Sequence, residues 1–147
     1  MKKIFILLAI ISLVSCHITT PEEPVKETDE AFNAYGVMTV LSSGFTKENV
    51  HVKAVLKENH QMDLYMFDIK FASAMPVTID MLISNVSYVK KDNYYIFKGD
   101  SIVPTAGGKP YEKYIIRNLD GKITTDSITL SNLYGTTPST YKGEIKK

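Results

Sequence analysis

The feature that most limits the fold of this 147-residue chain is a period-two alternation of apolar and polar residues after residue 35. It is clearest in the segments 50–57, 77–84, 128–131 and 141–146, where small or apolar residues occupy every second position. Such alternation is typical of β-strands that bury one face. No segment carries the i, i+3, i+4 pattern of an amphipathic helix. The sequence therefore predicts an all-β domain.

The spacing of the turn signals predicts how these strands are arranged. Eight or nine short strands follow one another, as in β-sandwiches and barrels. About eight antiparallel strands can close into a small barrel, which removes exposed strand edges. We therefore expect the first strand, near residues 35–41, to pair antiparallel with the last, near residues 140–145.

Two positions make the strand pattern ambiguous. Within residues 62–71 the apolar phase changes, which indicates a bulge near Met66. The Asp120-Gly121 dipeptide suits a hairpin turn or a bulge inside one long strand over residues 112–123. We prefer the single strand.

The N-terminus has the layout of a secretory signal peptide. A short positive start is followed by an almost wholly apolar run over residues 4–14. Eleven residues in a helix reach about 16 Å, too short for a hydrocarbon core of roughly 30 Å. The following Leu13-Val14-Ser15-Cys16 resembles the bacterial lipobox, whose cysteine is acylated. The resemblance implies that residues 1–15 are removed and that Cys16 carries the lipid, palmitate included, which makes a membrane the first partner.

The segment after Cys16 reads as a flexible tether. Residues 17–33 contain two prolines, five acidic residues and few large apolar groups, too little apolar surface to fold. We therefore expect a tether over residues 16–33 and a barrel domain over residues 34–147. His17 in place of an aspartate resembles an outer-membrane signal. Glu22-Glu23 leaves open a surface-export signal, so the periplasmic and the surface side both remain open.

Charge and cysteine content exclude several classes of function. Of the 17 basic residues, two lie in the signal peptide, which leaves 15 against 16 acidic residues. This balance gives no reason to expect nucleic acid as a partner. The single cysteine excludes an intramolecular disulfide. We expect a monomeric domain.

No enzyme motif is present in the sequence. We find no nucleophile elbow, P-loop, zinc-binding helix motif or cysteine pair. The histidines are scattered, and the carboxylates Asp63, Asp68 and Asp80 have no partner that would mark an acid–base pair. We predict no catalytic residue, no metal site and no cofactor.

Two further sets of residues are candidate sites. Aromatic residues could line a cavity for an apolar ligand or simply form packed core; the candidates are Tyr65, Phe67, Phe71, Tyr95, Phe97 and Tyr114. The triplets Asp100-Ser101-Ile102 and Asp126-Ser127-Ile128 resemble the acceptor motif of a bacterial O-glycosylation system. Ser101 and Ser127 are therefore candidate glycosylation sites.

A resemblance to a known family rests on a series of short segments. In order they are Tyr35-Gly36-Val37, Met75-Pro76-Val77-Thr78-Ile79-Asp80, Ile83-Ser84-Asn85-Val86, Gly121-Lys122-Ile123, Ser127-Ile128-Thr129-Leu130 and Tyr141-Lys142-Gly143. This order resembles the calycin-like β-barrel lipoproteins of Gram-negative bacteria and covers about residues 34–147. It implies an eight-stranded, lipocalin-like barrel and brings no catalytic residues. The chain has no tryptophan, so it lacks the Gly-x-Trp motif of lipocalins.

Two functions follow from these expectations. The first is a membrane-anchored, non-catalytic binding module for an apolar small molecule, a lipid or a glycan. The alternative is a structural or interaction protein displayed on the cell surface, with a filled barrel core. A lumen packed solid would favour the alternative, because eight-stranded barrels can either hold a ligand or fill their interior with side chains.

Acylation at Cys16 is testable by cell fractionation. Cys16→Ala should release the protein from the membrane fraction and abolish labelling with palmitate, because multiple acyl chains make detachment of the wild type negligible. A variant that stays membrane-bound and labels like the wild type would disprove the lipid anchor.

Overall fold

The computed structural model describes residues 30–147. The predicted signal peptide, Cys16 and most of the predicted tether lie outside the described residues. The first strand begins at Ala31, so residues 31–33, assigned above to the tether, form part of the domain.

The described residues form ten strands and two short 3₁₀ turns, joined by irregular connections. The strands are β1 (Ala31–Val40), β2 (Phe45–Lys57), β3 (Gln61–Ile69), β4 (Ile79–Lys90), β5 (Tyr95–Gly99), β6 (Thr105–Ala106), β7 (Lys109–Pro110), β8 (Ile116–Ile123), β9 (Ser127–Tyr134) and β10 (Thr137–Ile145). The 3₁₀ turns are Glu58–His60 and Glu112–Tyr114. The second turn occupies the start of the predicted strand 112–123, which therefore begins later, at Ile116.

Eight of these strands close into an antiparallel barrel, which confirms the predicted fold. The order around the barrel is β1, β2, β3, β4, β5, β8, β9, β10, and β10 pairs with β1 to complete the circle. The predicted pairing of the first and last strands is confirmed, with Gly36 opposite Gly143. The β6–β7 hairpin pairs with β4 at Met81 and Leu82, on the side of β4 opposite β3 and beyond the part that pairs with β5.

The two ends of the barrel differ. At one end lie the short connections 58–60, 91–94 and 124–126, together with the start of β1 and the end of β10. At the other end lie the longer connections 70–78 and 100–115. We call this second end the loop end.

Four bulges bend the strands, and each carries an Asn or Asp in the left-handed conformation. The register shifts fall beside Asn49, Asp68, Asn85 and Asn118, whose φ angles are 56°, 58°, 58° and 49°. Asn and Asp tolerate this conformation better than other residues with side chains. The predicted bulge near Met66 is confirmed, and it lies at Asp68. The bulge at Asn85 lies inside β4, so the strand that begins within the alternating segment 77–84 continues beyond it to Lys90.

Asp120 and Gly121 lie inside β8, so the dipeptide is not a turn and the preferred single strand is confirmed. The bulge falls at Asn118 and not at Gly121. A Cβ at position 121 would overlap the ring of Phe97, so Gly121 provides the space that this ring fills. The glycine therefore serves packing and not the bulge.

Two glycines allow the closing strands to approach each other. A Cβ on Gly36 would overlap the backbone of Lys142 and Gly143. On the inner face, the ring of Tyr141 lies over Gly143, and its hydroxyl donates to the Val50 carbonyl at 3.2 Å. Tyr141 on β10 thus reaches across β1 and links the β1–β10 seam, where the barrel closes, to β2.

The Gly143→Val variant tests this seam. The valine would collide with the Tyr141 ring and force it out of place, so we expect the free energy of unfolding to fall by about 1–3 kcal/mol, as for other overpacked sites. Urea denaturation measures this. Lys142→Val, on the exposed face of the same strand, is the control and should change stability little. Equal stability of the two variants would contradict the packing of Tyr141 on Gly143.

Candidate functional site

The six aromatic candidates for ligand lining lie in three different places. Tyr95 and Phe97 point into the barrel and are buried. Phe71 and Tyr114 lie at the loop end, outside the strands. Tyr65 and Phe67 lie half-buried on the outer face of β3. The last pair points outward because it alternates with the buried Met62, Leu64 and Met66. The bulge at Asp68 then reverses the strand's phase, so that Ile69 and Phe71 turn inward.

An aromatic cluster covers the loop end of the barrel. Phe71 stacks on Tyr114 with ring centroids 4.6 Å apart and meets Tyr134 at 4.9 Å. Tyr111 contacts Tyr114 edge to face at 4.9 Å. Phe71 retains 8% of its exposure, so the cluster separates the interior from solvent.

Side chains fill the interior of the barrel. One continuous apolar cluster extends through it, and its largest members, among them Tyr134, Phe97, Met38 and Met62, are fully enclosed. Where the inner wall has a glycine at 121 or 143, a neighbouring ring occupies the space. The inner face mixes small and large residues, but the large ones occupy the gaps that the small ones leave.

Two polar residues interrupt this apolar interior. Asn132 and Ser139 are direct partners across β9 and β10, and they are 5% and 2% exposed. The Asn132 amide and the Ser139 hydroxyl have no hydrogen-bond partner among the described residues. Sequence reasoning missed this pair. The sequence does contain one sign of it, because Asn132 lies between Leu130 and Tyr134 at a position of β9 where the alternation predicts an apolar residue.

A row of rings crosses the outer wall of β1, β2 and β3, and we call it the outer aromatic row: Tyr35, His51, Phe67 and Tyr65. Tyr35 stacks on His51 at 4.5 Å and 8°, and His51 stacks on Phe67 at 4.9 Å and 20°. Tyr65 stands parallel to Phe67 at 6.3 Å. The rings are cross-strand neighbours in register, so part of their effect is to stabilise the sheet.

His51 is held in the centre of this row. Its Nε2 lies 3.0 Å from the Asn33 Oδ1, which accepts a hydrogen bond from an Nε2–H. Burial, reinforced by the positive charge of Lys53, lowers the pKa of His51 below its ordinary value of 6.5. The ring is therefore neutral at neutral pH. Tyr35 at the edge of the row is 42% exposed, and Val37 beside it is 39% exposed.

The carboxylates considered for acid–base chemistry hold the bulges in place. The Asn85 N–H donates to Asp63 at 3.0 Å, and the Asp68 N–H donates to Asp80 at 2.9 Å. Asp100 repeats the arrangement by accepting the Asn118 N–H at 2.9 Å. This backbone hydrogen bond, helped by the Ser101 hydroxyl, lowers the pKa of Asp100. Each carboxylate thus satisfies an amide that the bulge removes from the strand ladder.

The two candidate glycosylation sites lie at different kinds of position, Ser101 in the connection 100–115 and Ser127 at the start of a strand. Ser101 is exposed, in a left-handed conformation, and donates to Asp100 at 2.9 Å. Ser127 is half-buried at the start of β9, with its hydroxyl 3.0 Å from that of Thr124. Glycosylation at either serine stays a prediction.

Within residues 30–147, no three side chains among His, Cys, Asp and Glu converge as metal ligands would. His51 lies in the outer aromatic row, whereas His60 lies in the 58–60 turn near Tyr88. His17 falls outside the described residues. In the same part of the chain, no helix is long and apolar enough to cross a membrane.

Comparisons of the chain with protein-family models, curated proteins and solved structures found no match. The function is therefore inferred from the geometry of this chain alone.

Buried tyrosines predict an alkaline limit to stability. Burial, together with the hydrogen bond to Glu30, raises the pKa of Tyr95 from 10.0 to about 12, and burial raises the pKa of Tyr134 and Tyr141 as well. The folded state therefore holds these protons more tightly than the unfolded state. Their stabilising contribution should be complete below pH 10 and be lost as pH rises toward 12.

Absorbance at 295 nm, followed against pH beside circular dichroism, measures this effect. Of the nine tyrosines, these three should ionise only as the barrel unfolds. Ionisation of all nine near pH 10 with the barrel still folded would show that the three phenols are not buried as described.

Proposed function

We propose that this protein is an exported lipoprotein, acylated at Cys16, that presents its barrel from a bacterial membrane, most simply the outer membrane, as a non-catalytic interaction module. The lipobox at residues 13–16 supports the anchor, and the eight-stranded antiparallel barrel is consistent with the calycin-like lipoproteins that the sequence resembles. In this proposal the outer aromatic row contacts a partner protein. The barrel itself serves as a rigid support.

The outer aromatic row is the observation that carries this proposal. Tyrosine and other aromatic residues are enriched in the binding hot spots of protein interfaces, because they offer a large contact area with little side-chain entropy to lose. Stacking already orders these rings before any partner arrives, which reduces the entropic cost of binding. Tyr35 and Val37 extend the row with exposed apolar surface on β1.

The filled lumen supports the same conclusion. Lipocalin-like carriers hold their ligand in an open interior, whereas here rings and methionine side chains occupy that space. A core filled largely by its own side chains suits a domain that acts through its outer wall.

Site-specific photocrosslinking in the protein's own cells tests the proposal. A benzoylphenylalanine at position 35 should form a discrete adduct, whereas the same residue at position 117, exposed on β8 and four strands from β2 in either direction around the barrel, should not. Adding Phe67→Ala should weaken the adduct roughly 10-fold or more, as loss of a hot-spot residue does. Circular dichroism verifies that each variant folds. Adducts of equal yield at both positions, or at neither, would refute the interaction module.

A second candidate function is the binding of a small apolar molecule or lipid at the loop end. The aromatic cluster around Phe71 favours it. Native mass spectrometry of the full-length protein from its own host discriminates the two functions. A stoichiometric lipid-sized adduct lost on Phe71→Ala, without crosslinks at position 35, would favour the small-molecule binder.

A further inference from the structure

Four hydrogen-bonding groups meet inside the barrel near its loop end, with one weak bond among them. They are the two ends of the Asn132 amide, the Ser139 hydroxyl and the Tyr134 hydroxyl. The Tyr134 hydroxyl donates to the Met66 Sδ at 2.9 Å, and a thioether is a weak acceptor. The other three have no partner among the described residues. A buried polar group without a partner loses its hydrogen bonds to water and gains no others, so native interiors almost always supply a hydrogen-bond partner.

The positions of these groups make them neighbours on the inner faces of β9 and β10. Asn132 and Ser139 are direct cross-strand partners, and both face inward from β9 and β10. The side chains of such a pair start about 5 Å apart. They do not bond each other, although an amide and a hydroxyl are able to. Tyr134 is two residues from Asn132 on the same face, and the nearby Asn132 amide opposes the rise that burial causes in the pKa of Tyr134.

We propose that Asn132, Ser139 and Tyr134 form an internal binding site for a small neutral molecule that both donates and accepts hydrogen bonds. The amide supplies one donor and one acceptor, and each hydroxyl can act as either. No charged side chain is among the buried residues of the described chain, so an ionised ligand would find no counter-charge. The chemistry fits a hydroxyl or an amide, and its two sources are a trapped water and the polar end of a small organic molecule.

The site has a short route to solvent at the loop end. Asn132 is two residues from the last residue of β9, and Ser139 is two residues from the first residue of β10. Phe71 packs on Tyr134 at 4.9 Å and belongs to the connection 70–78, not to the barrel wall. Displacement of this one ring would open the way to Tyr134 without breaking strand pairing.

This site is independent of the outer aromatic row, so it is tested separately. Native mass spectrometry of the full-length protein from its own host detects an organic occupant as an added mass. Nuclear magnetic resonance of ¹⁵N-labelled protein detects a trapped water by cross-relaxation to the side-chain amide protons of Asn132. We expect one of these two signals in the wild type. Ser139→Ala should abolish whichever signal is seen, and Asn132→Leu should abolish the added mass of an organic occupant.

Thermal unfolding supplies a second measurement. With the site occupied, Ser139→Ala should lower the Tm by about 5 °C, because it removes a bond to the bound molecule. Ser131→Ala on the exposed face of β9 is the matched control and should leave the Tm unchanged. The Tm of the double variant Ser139→Ala/Asn132→Leu should fall by less than the sum of the falls in the two single variants, because both residues act through one bound molecule.

An added mass identifies an organic occupant, and amide–water cross-relaxation without an added mass identifies water. Either result supports the site. If the wild type shows neither signal, the site is empty and the proposal is wrong. In that case Ser139→Ala should raise the Tm, since it deletes an unpartnered polar group.

Discussion

The close approach of Gly36 and Gly143 across the β1–β10 seam is the contact on which the rest of the barrel depends. Without it the sheet would end in two unpaired edges, and the inner faces of eight strands would not enclose a common core. Side chains at these positions would hold the strands apart, as the overlap of a Cβ at Gly36 with the opposite backbone shows. Tyr141 then covers the bare glycine from inside and bonds to β2. One ring therefore links three strands at the place where the first and last described strands, β1 and β10, meet.

A closed barrel also needs curved strands, and three bulges built in the same way provide this curvature. Bulges at Asp68, Asn85 and Asn118 each place an N–H outside the strand ladder, and an aspartate receives that N–H in every case. Lys57 completes one of these groups through an ion pair with Asp63 at 2.8 Å and a hydrogen bond to the Asn85 side chain at 2.9 Å. The acidic residues that resemble candidates for catalysis are thus committed to the backbone. This accounts for their positions without any reaction.

The alternation of residues predicted the strands well because each strand has one buried and one exposed face. It also predicted closure, since a terminal strand needs a partner for its amides. The pattern failed where its phase changes. At Asn85 a bulge interrupts the alternation, which ends at residue 84 in the sequence although β4 continues to Lys90. At Asp68 the predicted bulge reverses the phase, but alternation alone does not show that Tyr65 and Phe67 lie on the outer side and Phe71 on the inner side.

The site residues were harder to predict than the strands. An aromatic side chain at an alternating position can lie on the inner or the outer face of the barrel. The sequence therefore does not show whether such a residue belongs to the outer aromatic row or to the packed core. Asn132 and Ser139 flank the β9–β10 hairpin, and only the register of that hairpin shows that they are partners. An asparagine in the apolar phase was visible in the sequence, but its meaning depends on the absence of a partner, which is a property of the three-dimensional structure.

The two ends of the described chain lie side by side, because Ala34 pairs with Ile145 and the Lys146 N–H donates to the Asn33 carbonyl at 3.0 Å. Whatever precedes residue 30 therefore joins the barrel at the end opposite the long connections. This orientation matters for labelling experiments. A reporter fused after Lys147 would sit beside the point where residue 30 enters the barrel. An epitope inserted at Gly107-Gly108, in the exposed β6–β7 turn, would lie near the opposite, loop end of the barrel.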